Sequence, residues 1–374
     1  MKVAVIAPLV SAIREPQDGG SQAFVSDLAR GLAGRGHEVH VYAATGSAIP
    51  GVTVIDTGVD PGSLAATLYR ADGPAAPDPS AAASAFAVAY AKVRETRYDV
   101  VHNHAFDAPA IELAGSLSAP VVHTLHLPPE PAIAAALRAA MNAGGGRAPA
   151  VAGVSAFQAK AWSRVVPVDA ILPPYVPTRV IPWSPAAGDG AVFAGRLSPE
   201  KGAAEAIDIA RAAGIAVDVY GDAYDADYAR EQIGPRRGWP GVRVHRAVAR
   251  TSLWAAMSRA AVVLCPARWD EPFGMAAAEA QACGTPVVAF RRGGLGEIVA
   301  DGVTGFLVAP GDAAAAADSV AKATSVSRPA CRGHAERHLD LERSLDAHEQ
   351  LYRRVIGPAA GSATGTAAGT AAGP

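Results

Sequence analysis

The stretch Ala261-Val262-Val263-Leu264-Cys265-Pro266-Ala267-Arg268-Trp269-Asp270-Glu271-Pro272-Phe273-Gly274-Met275-Ala276-Ala277-Ala278-Glu279 decides how the chain is read. It begins with an apolar run, the mark of a strand buried on both faces of a parallel sheet. From Met275 onward nearly every residue is a good helix former, so a helix is predicted to begin near Gly274. Pro272 suits a position just ahead of that helix, which leaves Glu271 on the loop at the carboxyl end of the strand. A carboxylate there stands beside backbone N–H groups without helical partners, where anions and oxygen-rich ligands bind to open α/β sheets. Glu279 follows about one turn into the helix. A helix-start acid favoured by the dipole, plus a loop acid in solvent, would account for the same two residues, so the rest of the chain must decide.

Working outward, 374 residues exceed what one core usually serves, and two domains are expected. Apolar residues make up 50% and charged residues 18%, enough for a sizeable core in a water-soluble protein. A net charge of −2 offers no electrostatic footprint for nucleic acid or an anionic membrane. Cys265, Cys283 and Cys331 are odd in number and lack C-x-x-C spacing, so they read as reduced thiols, the first two in the core. No apolar run reaches the roughly eighteen residues of a membrane helix. The N-terminus reads as a first strand rather than a secretion signal, so the cytoplasm is the expected location.

A strand at 2–9, the Gly19-Gly20 loop, a helix with Phe24, Val25, Leu28 and Leu32 on one face, and a strand at 37–42 make a βαβ start. The loop lacks G-x-G-x-x-G, which disfavours a nicotinamide enzyme. Further strands are predicted at 52–55, 98–104, 120–126 and 150–155, with Ser155 an N-cap, and residues 71–84 read as a loop before a helix at 85–96. Prolines in 173–190 mark a linker. A second series places strands at 191–197, 217–220, 242–245, 261–265, 286–290 and 305–308. The expected fold class is α/β, with two doubly wound Rossmann-like domains facing across a cleft. The expected organisation is an N-terminal domain at 1–176, a C-terminal domain at 177–340, a helix at 341–356 that packs back on the first domain, and a disordered tail at 357–374.

Arg196 and Lys201, in Gly195-Arg196-Leu197-Ser198-Pro199-Glu200-Lys201-Gly202, follow the first strand of the second domain. A guanidinium fork and an ammonium aimed at one point near a helix start suit a diphosphate, and two solvated loop cations are the plainer alternative. The glycines of Arg291-Arg292-Gly293-Gly294-Leu295-Gly296-Glu297 permit close backbone approach to a ligand, or merely a turn. His102, His104, His123 and His126 lie at the ends of two neighbouring strands, but no Cys or acidic ligand is spaced to complete a zinc site. Asp225-Ala226-Asp227 has D-x-D spacing, yet sits where Asp caps a helix. No Walker A loop, G-x-S-x-G elbow or Cys/His nucleophile pattern occurs.

These residues resemble the retaining, nucleotide-sugar-dependent glycosyltransferases of the GT-B fold, family four. The resemblance runs from the Gly19-Gly20 loop to the C-terminal helix. Its most specific piece is the E-x7-E motif, Glu271 to Glu279, supported by Gly195-Arg196…Lys201-Gly202, Gly284-Thr285-Pro286, Gly293-Gly294…Glu297 and Gly302-Val303-Thr304-Gly305. The resemblance implies that Glu271 holds donor-sugar hydroxyls, assisted by amides around Phe273, Gly274 and Met275, and that Glu279 binds the ribose. It implies that Arg196 and Lys201 stabilise the leaving diphosphate, that Gly19 and Gly20 bring the first domain's backbone to phosphate or acceptor, and that His126 meets the donor sugar. Two departures stand out. Pro173-Pro174-Tyr175-Val176-Pro177 replaces Pro-Asn-Gly-Val-Asp, and Arg246 stands where a Gly is expected, leaving Val248 as a weak contact for the base.

The expectation is therefore transfer of a hexose or deoxyhexose from a nucleoside diphosphate sugar to a hydroxyl of a small-molecule or lipid-linked acceptor. Front-face attack with retention implies no metal and no other cofactor. A nucleotide-sugar hydrolase or 2-epimerase on the same fold, or a silent sugar-nucleotide-binding protein, are the alternatives.

Overall fold

A computed structural model of the chain describes residues 1–67, 79–143, 147–186 and 188–357. Its first sheet contains β1 (Lys2–Ile6), β2 (Glu38–Ala43), β3 (Thr53–Asp56), β4 (Val100–Asn103), β5 (Val121–Leu125), β6 (Ala150–Gly153) and β7 (Ala170–Ile171), in the order β3-β2-β1-β4-β5-β6-β7. The second contains β8 (Ala191–Ala194), β9 (Val217–Tyr220), β10 (Val242–His245), β11 (Val262–Cys265), β12 (Val287–Phe290) and β13 (Gly305–Val308), in the order β10-β9-β8-β11-β12-β13. Neighbouring strands pair in parallel throughout. Each order reverses once, between β1 and β4 and between β8 and β11. Loops leaving those strands diverge there and open a crevice.

The period of two along each strand decides which helices cover it. Val3 and Val5 face the helix Gly20–Gly34 through Phe24, Leu28 and Leu32, while Ala4 and Ile6 face the helix Pro79–Arg94 through Phe86 and Tyr90. In the second sheet Phe193, Val262 and Leu264 pack under the helices Ala203–Ala212 and Ala313–Ala323. Val192, Val263 and Val287 pack under Arg250–Arg259 and Met275–Ala282. Burial on both faces explains the uninterrupted apolar runs.

The last helix, Leu341–Ile356, returns to the first sheet. Arg35, just past the end of the helix Gly20–Gly34, donates to Glu342 at 2.6 Å and Asp346 at 2.8 Å, and Tyr352 meets His102 at 2.6 Å. The linker is strapped down by Arg332, which donates to the carbonyls of Thr178, Ile181 and Ala282.

Local expectations fail in two places and hold in a third. The helix expected at 85–96 is Pro79–Arg94, because the small residues at 79–84 continue it rather than loop before it; residues 71–78 lie outside the described residues. The two-residue β7 carries too little pattern to be read from sequence. Asp225 caps Tyr228 N at 2.8 Å, as a structural residue should, while residues 358–374 of the expected disordered tail lie outside the described residues.

Candidate functional site

The loops leaving β1, β8 and β11 converge on one cleft of about 520 Å³ between the two sheets. Arg196, Lys201, Glu271, Phe273, Gly274, Met275 and Glu279 line it from the second domain. Gly19, Gly20 and His126 line it from the first. Gly20 sits so close to Met275 that a Cβ there would lie 3.1 Å from its Cγ. The sequence-predicted residues are thus brought to one place. Their pairings inside it are less simple.

Glu271 stands on the loop between β11 and the helix Met275–Ala282, and its carboxylate is already engaged. Lys201 Nζ donates to Oε1 at 3.0 Å and Oε2 at 2.8 Å, and Trp269 Nε1 donates to Oε2 at 2.8 Å. The ammonium also lies 4.8 Å from the Trp269 ring centre. Lys201 is held there by Gly202, which has φ +77° and would put a Cβ 2.1 Å from Pro266 O. No residue with a side chain fits that turn without displacing the β11 loop. The backbone amides of Gly274, Met275 and Ala276 make no hydrogen bond to a carbonyl among the described residues, and the first turn's bonds begin at Ala277 and Ala278. They remain donors at the floor of the cleft.

Of the two readings of Gly293 and Gly294, ligand approach or turn, the structure shows a turn packed against the Glu271 loop. A Cβ on Gly293 (φ +56°) would lie 2.2 Å from Glu271 O, and Gly294 N donates to that oxygen at 2.7 Å. The glycines buttress the loop that presents the carboxylate.

Arg196 lies over the Tyr224 ring at 4.1 Å and donates to Glu200 Oε1 at 3.2 Å. Glu200 is buried, so this acid orients the guanidinium from beneath the cleft wall.

Glu279 is buried rather than open, at 6% exposure. Its Oε1 accepts from Arg250 Nε at 3.1 Å, Arg250 Nη2 at 2.9 Å and Trp254 Nε1 at 3.0 Å. Arg250 reaches on to Asp27 of the first domain. Sequence reading missed Arg250, Trp254, Asp27 and Trp269. The available signal was a helix start carrying Arg250 and Trp254 at i, i+4 spacing, directly after the strand whose loop was suspected.

His126 Nε2 lies 3.0 Å from His104 Nδ1. His104 Nε2 is buried and finds no partner among the described residues. A bare nitrogen there is less costly than an orphaned N–H, so His104 carries its proton on Nδ1 and donates to His126. His126 then presents Nδ1–H as a neutral donor; desolvation pushes its pKa down to about 4. No group of three His, Cys, Asp or Glu residues among the described residues could hold a metal ion. Ala247 and Val248 line the cleft, and Arg246 donates to Asp222 at 3.1 Å instead of leaving the loop open.

Two doubly wound domains, with the switch-point loops of both facing one cleft, define a GT-B transferase fold. Matches to known proteins agree. A model of glycosyl transferases group 1 matches residues 188–332, and one of glycosyltransferase family 4 matches residues 18–182. The D-inositol 3-phosphate glycosyltransferase of Kribbella flavida is 30% identical over 363 residues, covering 82% of this chain and 83% of its own. That of Xylanimonas cellulosilytica is 31% identical over 371 residues, covering 85% and 87%. Among solved structures, AviGT4, a glycosyltransferase involved in avilamycin A biosynthesis, superposes with a TM-score of 0.68 at 24% identity, covering 95% of this chain and 98% of its own. Anabaena HepE, solved in complex with UDP and glucose, superposes with a TM-score of 0.71 at 21% identity, covering 94% and 99%. The chain belongs to the family 4, group 1 glycosyltransferases. No helix among the described residues is long and apolar enough to cross a membrane.

Proposed function

We propose that this glycosyltransferase transfers a hexose or deoxyhexose from a nucleoside diphosphate sugar to a hydroxyl of a small-molecule or lipid-linked acceptor, with retention and without a metal. The observation that carries the reading is the convergence of Lys201, Glu271 and Trp269 beside Arg196 at the β8/β11 switch point. Cations placed there serve a leaving diphosphate, since charge that grows as the glycosidic bond breaks is best met by pre-oriented donors. Lys201 doubles as the partner that fixes the Glu271 carboxylate in one orientation, aimed at sugar hydroxyls. The UDP and glucose bound by HepE support a nucleotide-sugar donor. The inositol phosphate in the names of the curated relatives supports the small-molecule arm of the acceptor class.

In the proposed step the acceptor oxygen attacks the anomeric carbon on the face from which the nucleotide departs. The bond to the β-phosphate oxygen breaks, and the acceptor proton passes to that oxygen. Arg196 and Lys201 supply the positive charge that a metal ion would otherwise provide. His126 would donate Nδ1–H to the sugar.

Proton NMR of the product made from an α-linked donor, with and without EDTA, tests the reading. An α-linked product formed at the same rate in EDTA is expected. A β-linked product would refute front-face retention, and free sugar with no acceptor product would point to hydrolysis instead.

A further inference from the structure

Glu279 is tied to the opposite half of the molecule through Arg250. Its Oε1 takes three donors from the helix Arg250–Arg259, two from Arg250 and one from Trp254. The same guanidinium extends Nη1 to Asp27 Oδ2 at 2.8 Å, on the helix Gly20–Gly34 of the opposite domain. Arg250 N donates to Glu15 Oε2 at 2.9 Å, on the loop that leads to Gly19-Gly20. Asp27 and Arg250 are 5% and 7% exposed, so the bridge is nearly water-free. Glu279 Oε2 takes no hydrogen bond from the described residues, although Glu279 borders the cleft.

A guanidinium has one planar fork and can serve two carboxylates only when both stand in its plane. Here the two come from different domains. Separating the domains would break the Asp27–Arg250 pair, whereas removing Asp27's charge in the joined form would leave Arg250 short of a buried partner, which is unfavourable. While the bridge holds, Oε1 is spoken for and the carboxylate has one rotamer, with Oε2 left for a ligand. If only the bridged form binds well, the apparent affinity scales with its population.

We propose that Asp27 and Arg250 are positioning residues that latch the domains together through Glu279, so that nucleotide binding depends on an acid of the domain opposite the nucleotide. The proposal rests on the donor reading, with Glu279 at the nucleoside end. Asp27 touches no ligand in this scheme. It acts through Arg250.

The test is a double-mutant cycle on the full chain, read as Kd by calorimetry for whichever of UDP, GDP, ADP and dTDP wild type binds most tightly. Asp27→Asn keeps the shape and removes the charge. It is expected to raise Kd about tenfold in wild type and less than about twofold in a Glu279→Gln background, because residues acting through one partner are not additive. Arg250→Lys, which keeps the cation but cannot fork, is expected to behave like Asp27→Asn and stands in for it if that variant misfolds. A merely structural Asp27 would lower Tm and leave the Kd of the folded protein unchanged. Unchanged Kd in Asp27→Asn or Arg250→Lys, or losses that multiply with Glu279→Gln, would overturn the latch while leaving the donor reading intact. If wild type binds none of the four nucleotides, the donor reading itself falls and takes the latch with it.

Discussion

At the scale of single residues, the cleft is built from charges that answer each other before any ligand arrives. Lys201 saturates Glu271, Glu200 orients Arg196, and Arg250 saturates one oxygen of Glu279. Glu271, Arg196 and Lys201 could be found in the sequence because each stands on a loop directly after a readable strand. Arg250 left only the faint signal of a helix start with Trp254 four residues on, and Asp27 left none. Each is a charged residue on a helix, which reads as solvated surface until tertiary packing joins positions far apart in the chain. The histidines show the same limit: sequence spacing disfavours a metal at the four strand-end imidazoles but does not say what holds them, and packing stacks His102 and His104 with His348 and Tyr352 of the last helix. Desolvation pushes His123 and His348 down to about 4 from an ordinary 6.5. Between these values the unfolded chain binds more protons than the folded one, so stability is fully present above pH 6.5 and is lost as pH falls toward 4. Each buried imidazole should subtract about 2 kcal/mol by pH 5. Urea unfolding at pH 7.5 and pH 5 checks this: a clearly lower midpoint is expected at pH 5, whereas equal midpoints would mean these rings protonate freely in the fold.

The elements were legible where their pattern was redundant. Apolar β-branched runs announced most strands, and alternation with helical stretches announced the doubly wound sheets. The helix Pro79–Arg94 was placed late because an Ala/Ser-rich first turn looks like a loop when only breakers are counted. The Gly293-Gly294 stretch reads equally as a ligand approach or a turn, because sequence reports that backbone comes close, not what it comes close to. Gly293→Ala tests the role of the turn. The left-handed conformation and the contact with Glu271 O both oppose a Cβ, so stability should fall by about 2 kcal/mol or more. Because the displaced backbone carries Glu271, kcat should fall as well. Loss of stability with turnover unchanged at permissive temperature would show that the turn supports the fold alone.

On the scale of the whole molecule, polar bridges among the described residues join the two domains. Glu297 accepts from the amides of Ala156 at 2.9 Å and Phe157 at 2.7 Å, tying the second domain to the start of the helix Ala156–Trp162. Arg250 makes further bridges, pairing with Asp27 and donating its amide to Glu15, and the last helix returns to brace the first sheet. Two-domain architecture was readable from length and from the linker's prolines, but which surfaces touch across the cleft was not, since no local pattern encodes partners so distant in the chain. The central claim is that this cleft holds a nucleoside diphosphate sugar by its diphosphate. Its most direct test is the thermal midpoint of wild type and Lys201→Ala with saturating UDP, GDP, ADP or dTDP. A ligand bound only by the folded state at a hundredfold excess over Kd adds about 2.7 kcal/mol. The expected result is a raised Tm with at least one nucleotide in wild type and little or none in Lys201→Ala. No shift with any of the four, or an equal shift in both proteins, would contradict it.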